Sequence, residues 1–162
     1  EIDHVSISST KIRTALEDGN IALANEFLGH AYHFSGKVIH GKKLGRTLGF
    51  PTANFEISES YKMIPQNGIY VVESEIEGER VKGMMSIGIN PTFVNHPHTI
   101  EVNFLDWSGD LYNKTLKVRI LDRIRDEQKF NSLEELITCL KQDELATRAY
   151  FDRHVEKSTT TR

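Results

Sequence analysis

The residues best suited to chemistry lie in one short stretch of the sequence, GFPTANF, at residues 49–55. Thr52 and Asn54 are two residues apart, so on a strand both side chains project to the same face. Hydroxyl and amide oxygens are hard ligands that suit Mg²⁺. Because both groups are neutral, the pair would hold the ion well only when nucleotide phosphates supply negative charge. The alternative is that both are ordinary turn and strand-edge residues.

A glycine-rich, basic segment precedes this pair. Glycine lets the backbone turn its amides toward a ligand and lets the ligand approach closely, while nearby cations add positive charge. The combination suits a polyphosphate, although neither the GxxxxGK[ST] nor the GxGxxG pattern is present. A flexible surface loop is the alternative. The glycines are Gly41, Gly45 and Gly49, and the cations are Lys42, Lys43 and Arg46.

One carboxylate interrupts an apolar strand pattern at IEVNF, residues 100–104. Ile100, Val102 and Phe104 share one face of that strand, and Glu101 shares the other face with Asn103. A carboxylate within hydrogen-bond reach of an alcohol can take its proton during phosphoryl transfer. A solvent-facing glutamate in an alternating strand is the competing interpretation.

A dense polar run, RIRDEQKF, occupies residues 123–130. Arg125 can pair with a ligand or with Glu127, and Phe130 can stack on a flat ring. A charged surface loop is the alternative interpretation of this run.

Helices are predicted at both ends of the chain. Residues 7–29 carry apolar side chains at helical spacing, interrupted at EDGN, with N-cap candidates at residues 8–10 and Gly29 as the C′ residue. Near the other end, Ser132 and Glu135 form a capping-box pair ahead of an apolar helical stripe.

Strands are predicted between these helices. Five short segments between residues 33 and 124 are rich in Val, Ile and aromatic residues and are separated by Gly, Asn and Pro. The sequence EIEGER, residues 75–80, predicts a hairpin tip between two of them. Several strands with no intervening helix indicate an antiparallel sheet closed into a barrel or folded into a sandwich.

Composition excludes several classes of protein. With one cysteine among 162 residues, the chain has neither a disulfide framework nor a cysteine zinc site. A net charge of −3 with interspersed charges argues against a broad basic face for nucleic acid. No apolar run approaches the roughly 18 residues that a membrane span needs. With no secretory signal at its start, the chain is expected to be cytoplasmic.

Taken in order, the motifs resemble the riboflavin kinase (flavokinase) family. The matching segments are SGKVIHGKKLGRTLGFPTANF, NGIYVV, MMSIGINPTF, IEVNF, DLYNKTLKVRIL and RIRDEQKFNSLEELI. The resemblance implies a mainly β fold, a six-stranded antiparallel Greek-key barrel with a C-terminal helix packed on it and short N-terminal helices. It also implies transfer of phosphate from ATP to the ribityl 5′-hydroxyl of riboflavin, which gives FMN and ADP.

The resemblance also assigns roles to residues. It implies that Thr52 and Asn54 ligate Mg²⁺, with Mn²⁺ or Zn²⁺ as alternatives, and that Glu101 orients and deprotonates the ribityl hydroxyl. The implied ATP-binding set is Gly41, Lys42, Gly45, Arg46, Gly49, Thr52 and Asn54, and the implied flavin-binding set is Arg125, Glu127 and Phe130. Asn113 stands where a glycine is common, so a positive φ that asparagine tolerates is expected there.

The first residues resemble a different module. ISSTKIRTAL, residues 7–16, is similar to the closing motif of the nucleotidyltransferase module in bacterial FAD synthetase, which pairs an FMN adenylyltransferase with a riboflavin kinase. We therefore expect a helical remnant and linker at 1–30, a kinase domain at 31–152 and a polar tail at 153–162. The HxGH-type motif of the adenylyltransferase is absent from the sequence. We expect no FAD synthesis from this chain, and an N-terminal adenylyltransferase domain as its partner in the full-length protein.

Two other classes of function compete with a kinase. A non-catalytic flavin- or nucleotide-binding module would bind without turnover, but the joint presence of Thr52, Asn54 and Glu101 argues against it. A β-barrel that binds oligonucleotides would need a basic sheet face studded with aromatic residues. The acidic balance disfavours that class, so small-molecule substrates are expected, with no nucleic acid or membrane partner.

Overall fold

The computed structural model describes residues 2–39, 52–57, 62–89 and 98–160, with side chains described from residue 9 to residue 154 of these ranges. Its chain divides into two compact units, Glu1–Glu127 and Gln128–Arg162. The elements are α1 (Ile2–Glu17), α2 (Ile21–Leu28), β1 (Tyr32–Ile39), β2 (Ala53–Ile57), β3 (Gly68–Ile76), β4 (Glu79–Ile89), β5 (His98–Phe104), β6 (Thr115–Arg125) and α3 (Leu133–Thr160).

The six strands of the described residues close into one antiparallel barrel, in the order β1-β2-β5-β4-β3-β6. Strands β3, β4 and β5 are consecutive neighbours, and β6 returns to lie beside β3, which is the Greek-key arrangement. Strand β2 pairs with β5 rather than with β3. The mainly β fold class is therefore confirmed, and of the two sheet architectures the barrel is the one adopted.

Alternation along β5 and along part of β4 separates a packed interior from an outer face. On β5, Ile100 and Val102 are buried in the core, while Glu101 between them points the other way and is half-buried. On β4, Met85 and Ile87 are fully buried and Ser86 between them is half-buried. At these positions the period of two thus places the apolar side chains inside the barrel and the polar candidates Glu101 and Ser86 outside.

Two turns adopt the left-handed backbone that the sequence predicts. Glu77 and Gly78 join β3 to β4 with φ angles of 53° and 80°, as expected for the tip of a two-residue hairpin. Asn113 has φ 71°, the positive value expected where it replaces a glycine. This conformation lets the Asn113 N–H donate to the Val38 carbonyl at 2.9 Å, which ties the turn to the end of β1.

The N-terminal helices are confirmed, with one difference at their start. Helix α1 begins at Ile2, so the residues at 8–10 lie within the helix and not at its N-cap as predicted. Asn20 caps α2 instead, since its side chain accepts a hydrogen bond from the Leu23 N–H. Gly29 ends α2 in the left-handed conformation, as predicted.

Helices α1 and α2 share one core with the barrel. The buried residues Leu16, Ile21 and Ala24 belong to the same apolar cluster as Val118 and Ile120 of β6. The segment expected as a remnant of another module, residues 1–30, therefore lies in the same compact unit as the strands.

Asn25 joins these helices to two strands. Its amide nitrogen donates to the Ile120 carbonyl of β6 at 2.9 Å, and its amide oxygen accepts from the Tyr32 N–H of β1 at 2.7 Å. One side chain therefore satisfies two backbone groups of the barrel.

Arg123 of β6 packs against β3 and against the turn between α1 and α2. Its guanidinium lies over the Tyr70 ring, 5.7 Å from the centroid, and forms an ion pair with Asp126 at 2.8 Å. A Cβ at Gly19 would lie 2.7 Å from Arg123 Nε, so the turn between α1 and α2 needs glycine for space as well as for its φ of 78°. Burial raises the pKa of the Tyr70 hydroxyl, although Arg123 beside it acts in the opposite direction.

The second unit contains helix α3. At its start the Ser132 hydroxyl accepts from the Glu135 N–H at 3.2 Å, and the Glu135 carboxylate accepts from the Asn131 N–H at 3.0 Å. The predicted cap is thus present, with the carboxylate reaching one residue further back than in a capping box. The helix extends to Thr160, so most of the segment expected as a polar tail, 153–162, is helical.

We expect Asn25→Ala to lower the free energy of unfolding by about 1–3 kcal/mol, because it removes hydrogen bonds to two partly buried backbone groups. Denaturant titration followed by circular dichroism measures this change. Glu26→Ala, at the exposed neighbouring position on α2, is the matched control and should change stability by no more than about 0.5 kcal/mol. Equal losses in the two variants would contradict the role given to Asn25.

Candidate functional site

Three of the polar residues on the outer face of the barrel lie in one row across neighbouring strands. Asn54 of β2 is the direct partner of Glu101 of β5, and Glu101 is the direct partner of Ser86 of β4. Direct partners in an antiparallel sheet have Cβ atoms about 4.5–5.5 Å apart and side chains on one face. The amide, the carboxylate and the hydroxyl are therefore close neighbours.

Glu101 is held in this row by the packing of its neighbours. Ile100 and Val102 are buried inside the barrel, 4% and 0% exposed, so a register slip that turned Glu101 inward would bury its charge and expose both apolar groups. The half-buried carboxylate is thereby fixed on the outer face.

Thr52 lies immediately before β2 and is half-buried. Continuing the β2–β5 register by one residue from the pair Ala53 and Val102 places Thr52 opposite Asn103. Thr52 therefore lies on the Asn103 side of the row, next to Asn54 and on the same face of the sheet, as the two-residue spacing predicts.

The pairing of β3 with β6 is irregular at two places, and as a result the side chains of Arg123 and Arg125 point in different directions. The register shifts between Val71 and Val72 and again between Ile69 and Tyr70. Between the two shifts Arg123 pairs with the inward-facing Tyr70, and after the second Arg125 pairs with Ile69. Since Ile69 is the direct partner of Ser86, the shift brings Arg125 into the row that contains Glu101.

Glu127 reaches back over the sheet from the end of β6. Its carboxylate lies on the outer surface of β4 directly over Gly88, whose missing side chain leaves the space. Gly88 is the direct partner of Thr99, which precedes Glu101 by two residues on the same face of β5. The structure thus brings Glu127 to the region of Glu101.

The remaining predicted site residues are not placed in this arrangement. Phe130 belongs to the second compact unit, where it is half-buried. The other predicted ATP-binding residues lie outside the described residues; they are Gly41, Lys42, Gly45, Arg46 and Gly49.

Ser86 and Thr99 also lie in this region, although the sequence pattern did not indicate them. Ser86 is the one hydroxyl in the otherwise apolar run MMSIGI, and this interruption was the available signal. Its significance depends on Glu101 being the cross-strand partner, which no local pattern reveals.

No group of three or more His, Cys, Asp or Glu side chains suited to a metal ion occurs in the described part of the chain. A search of the helices over the same residues finds none long and apolar enough to span a bilayer.

Comparison with known proteins identifies the family. The family model described as "Flavokinase: Riboflavin kinase" matches residues 28–151. A Bacillus subtilis protein named bifunctional riboflavin kinase/FMN adenylyltransferase is 43% identical over 148 residues, which are 90% of this chain and 46% of that protein. The chain thus spans about half the length of the curated relatives it matches.

Two solved structures share the fold. A Streptococcus pneumoniae structure described as a macrolide-efflux protein is 43% identical with a TM-score of 0.82, over 86% of this chain and 46% of that one. A riboflavin kinase from Trypanosoma brucei is 28% identical with a TM-score of 0.53, over 74% of this chain and 79% of that one. With a family model that covers most of its length, this chain belongs to the flavokinase family, the riboflavin kinases.

Proposed function

We propose that this chain transfers the γ-phosphoryl group of ATP to the ribityl 5′-hydroxyl of riboflavin, with Glu101 as the general base. The observation that carries the proposal is the cross-strand pairing of Asn54 with Glu101. This pairing places the Asn54 amide, which is suited to a metal ion bound to the ATP phosphates, beside the Glu101 carboxylate, which is suited to the acceptor hydroxyl. Phosphoryl transfer depends mainly on positioning and charge neutralisation, and this adjacency supplies the positioning.

In the proposed reaction the 5′-oxygen forms a bond to the γ-phosphorus, and the bond from that phosphorus to the β,γ-bridging oxygen breaks. Glu101 accepts the hydroxyl proton as the new bond forms. The half-buried setting of Glu101 limits its contact with water while leaving its carboxylate on an accessible face of the barrel.

The residues beside Glu101 fit a hard divalent cation that arrives with a nucleotide. Asn54, opposite Glu101, and Thr52, two residues before Asn54, offer an amide oxygen and a hydroxyl oxygen, and neither carries charge. When bound, Mg²⁺ would neutralise negative charge on the phosphates of ATP. Neutral donors suit this task because the phosphates themselves provide the anionic ligands; Mn²⁺ and Zn²⁺ are alternatives.

The flavin is proposed to bind on the side of the row where β6 ends. Arg125 and Glu127 both lie near this edge, on or over the outer face of the barrel. Phe130 is proposed to stack on the flavin ring. The glycines and cations of residues 41–49 are proposed to hold the phosphates, as the family resemblance implies.

The relatives support a further proposal about the whole protein. The Bacillus subtilis relative is named for two activities, and the match covers 46% of it. We propose that this chain is the kinase part of such a protein, with an adenylyltransferase domain as its partner. We also propose that the chain makes FMN but not FAD.

The proposed activity predicts that the chain, mixed with riboflavin, ATP and Mg²⁺, produces FMN and ADP in equal amounts and no FAD. Chromatographic separation of the flavins and a coupled assay for ADP measure both products. A reaction without ATP is the control. Riboflavin that binds without turnover would favour the non-catalytic module, and FAD among the products would contradict the division of activities.

Glu101→Gln should lower kcat by about 10²–10⁴-fold with little change in the KM for riboflavin, because it removes the proton acceptor but keeps the shape. Steady-state kinetics measure both constants. Glu56→Gln makes the same change at an exposed position on the outer face of β2 and should behave like the wild type. An undiminished kcat in Glu101→Gln would exclude Glu101 as the base.

Asn54→Ala should raise the Mg²⁺ concentration needed for half-maximal activity by about tenfold or more, since it removes one proposed oxygen ligand. Calorimetric titration of the protein with ADP in the presence of Mg²⁺ gives a second measurement, in which affinity should fall by a similar factor. Asn54→Asp restores an oxygen ligand and adds charge, so it should lower the Mg²⁺ requirement below that of the alanine variant. An unchanged Mg²⁺ dependence in Asn54→Ala would remove Asn54 from the metal site.

A further inference from the structure

The backbone conformation of Gly88 does not require a glycine. It lies within strand β4, between Ile87 and Ile89, where glycine weakens pairing and buries no side chain. Its φ is not among the positive values found for other glycines of the described residues, so a side chain would be compatible with its backbone. A glycine at such a position indicates that another group approaches the sheet closely.

The approaching group is the carboxylate of Glu127. A Cβ at Gly88 would overlap the Glu127 Oε2 atom and lie 3.3 Å from its Cδ atom. The Thr99 hydroxyl oxygen is 3.4 Å from the same point. A carboxylate and a hydroxyl therefore both lie close to the outer face of β4 at Gly88, and we call this place the Gly88 seat.

The Gly88 seat adjoins Glu101 on one side. Thr99 and Glu101 are two residues apart on the same face of β5, about 6–7 Å along the strand. Asn54 lies directly opposite Glu101, and Thr52 lies toward Asn103, which is the other side of the row. Along the strand direction the proposed base thus has the neutral Thr52 on one side and a negatively charged acceptor on the other, with the neutral Asn54 directly opposite it.

This asymmetry limits what the seat can bind. A carboxylate only accepts hydrogen bonds, so its ligand must present donors, and it would repel a phosphate. Each hydroxyl of a polyol chain is such a donor, whereas the edge of an oxidised flavin ring presents a single N–H donor, at N3, among carbonyl and ring-nitrogen acceptors. A polyol chain whose last hydroxyl faces Glu101 would continue toward the seat.

We propose that Gly88 is a specificity-determining residue. Because Gly88 has no side chain, the Glu127 carboxylate can lie over β4 near Thr99. Glu127 and Thr99 together bind the hydroxyl-bearing chain of the flavin. The inference rests on the proposed function, since Glu101 is taken as the group that faces the acceptor hydroxyl. Gly88 acts through Glu127 and is a positioning residue; Glu127 and Thr99 make the contact.

A double-mutant cycle tests the proposal with Gly88→Ala, Glu127→Ala and the variant carrying both changes. Each single change should raise the riboflavin KM by about tenfold or more, with kcat changed less than about threefold, because a hydrogen bond to a charged group is lost. Once Glu127 is alanine, Gly88→Ala should cause no further loss. A loss from Gly88→Ala of equal size in both backgrounds would overturn the proposal.

Binding measurements separate the polyol chain from the ring. Riboflavin and lumiflavin share the ring, but lumiflavin lacks the ribityl chain, and flavin fluorescence reports the binding of both. Gly88→Ala and Glu127→Ala should each weaken riboflavin binding about tenfold and leave the lumiflavin affinity within about twofold of the wild-type value. Equal weakening of both ligands would place Glu127 against the ring and contradict the inference.

Glu127→Asp provides a test that leaves β4 untouched, in case Gly88→Ala impairs folding. The shorter side chain withdraws the carboxylate from the seat and should raise the riboflavin KM as Glu127→Ala does; a wild-type KM would overturn the inference. Glu75→Ala removes an exposed carboxylate from β3, six residues beyond Ile69, and is the matched control.

Failure of the wild type to make FMN would instead overturn the proposed function, and the riboflavin and lumiflavin affinities would still test the seat.

Discussion

The pairing of β2 with β5 is the constraint on which the site depends. These strands are separated in the chain by β3 and β4, and only the closure of the barrel brings them together. The pairing is antiparallel and its register is fixed, because Phe55, Ile100 and Val102 must all lie inside the barrel. The opposition of Asn54 and Glu101 on the outer face follows from this apolar register.

The interior of the barrel therefore stabilises the fold, and the outer face carries the residues of the proposed site. Buried aliphatic and aromatic side chains hold the six strands at fixed spacing, and among the described residues no polar group of the proposed site belongs to that apolar cluster. The outer face is free to carry an amide, a carboxylate and hydroxyls in defined positions. A rigid strand scaffold holds such groups more accurately than a loop does, which matters for phosphoryl transfer because the reaction depends on positioning.

Irregular features of the sheet occur where the site meets the end of the barrel. The register shifts of β3 against β6 give Arg123 and Arg125 different directions although they are two residues apart. Arg123 packs on Tyr70 and pairs with Asp126, so it fixes the start of the segment that carries Glu127. The same guanidinium lies against Gly19, which links the helix pair to this end of the barrel.

The sequence by itself determined the local features: the apolar alternation of β5 around Glu101, the hairpin at Glu77 and Gly78 and the end of α2 at Gly29. These depend on residues near one another in the chain, and the family resemblance added the Greek-key barrel, the positive φ of Asn113 and the residue roles. Only the tertiary structure decided that Asn54 and Ser86 flank Glu101, that Arg125 joins their row and that Glu127 rests over Gly88. Helix ends were also misjudged, since α1 begins at Ile2 and α3 extends to Thr160, beyond where the apolar pattern is clear. Pairing between distant strands leaves no local pattern, because it is set by how the whole apolar surface is buried at once.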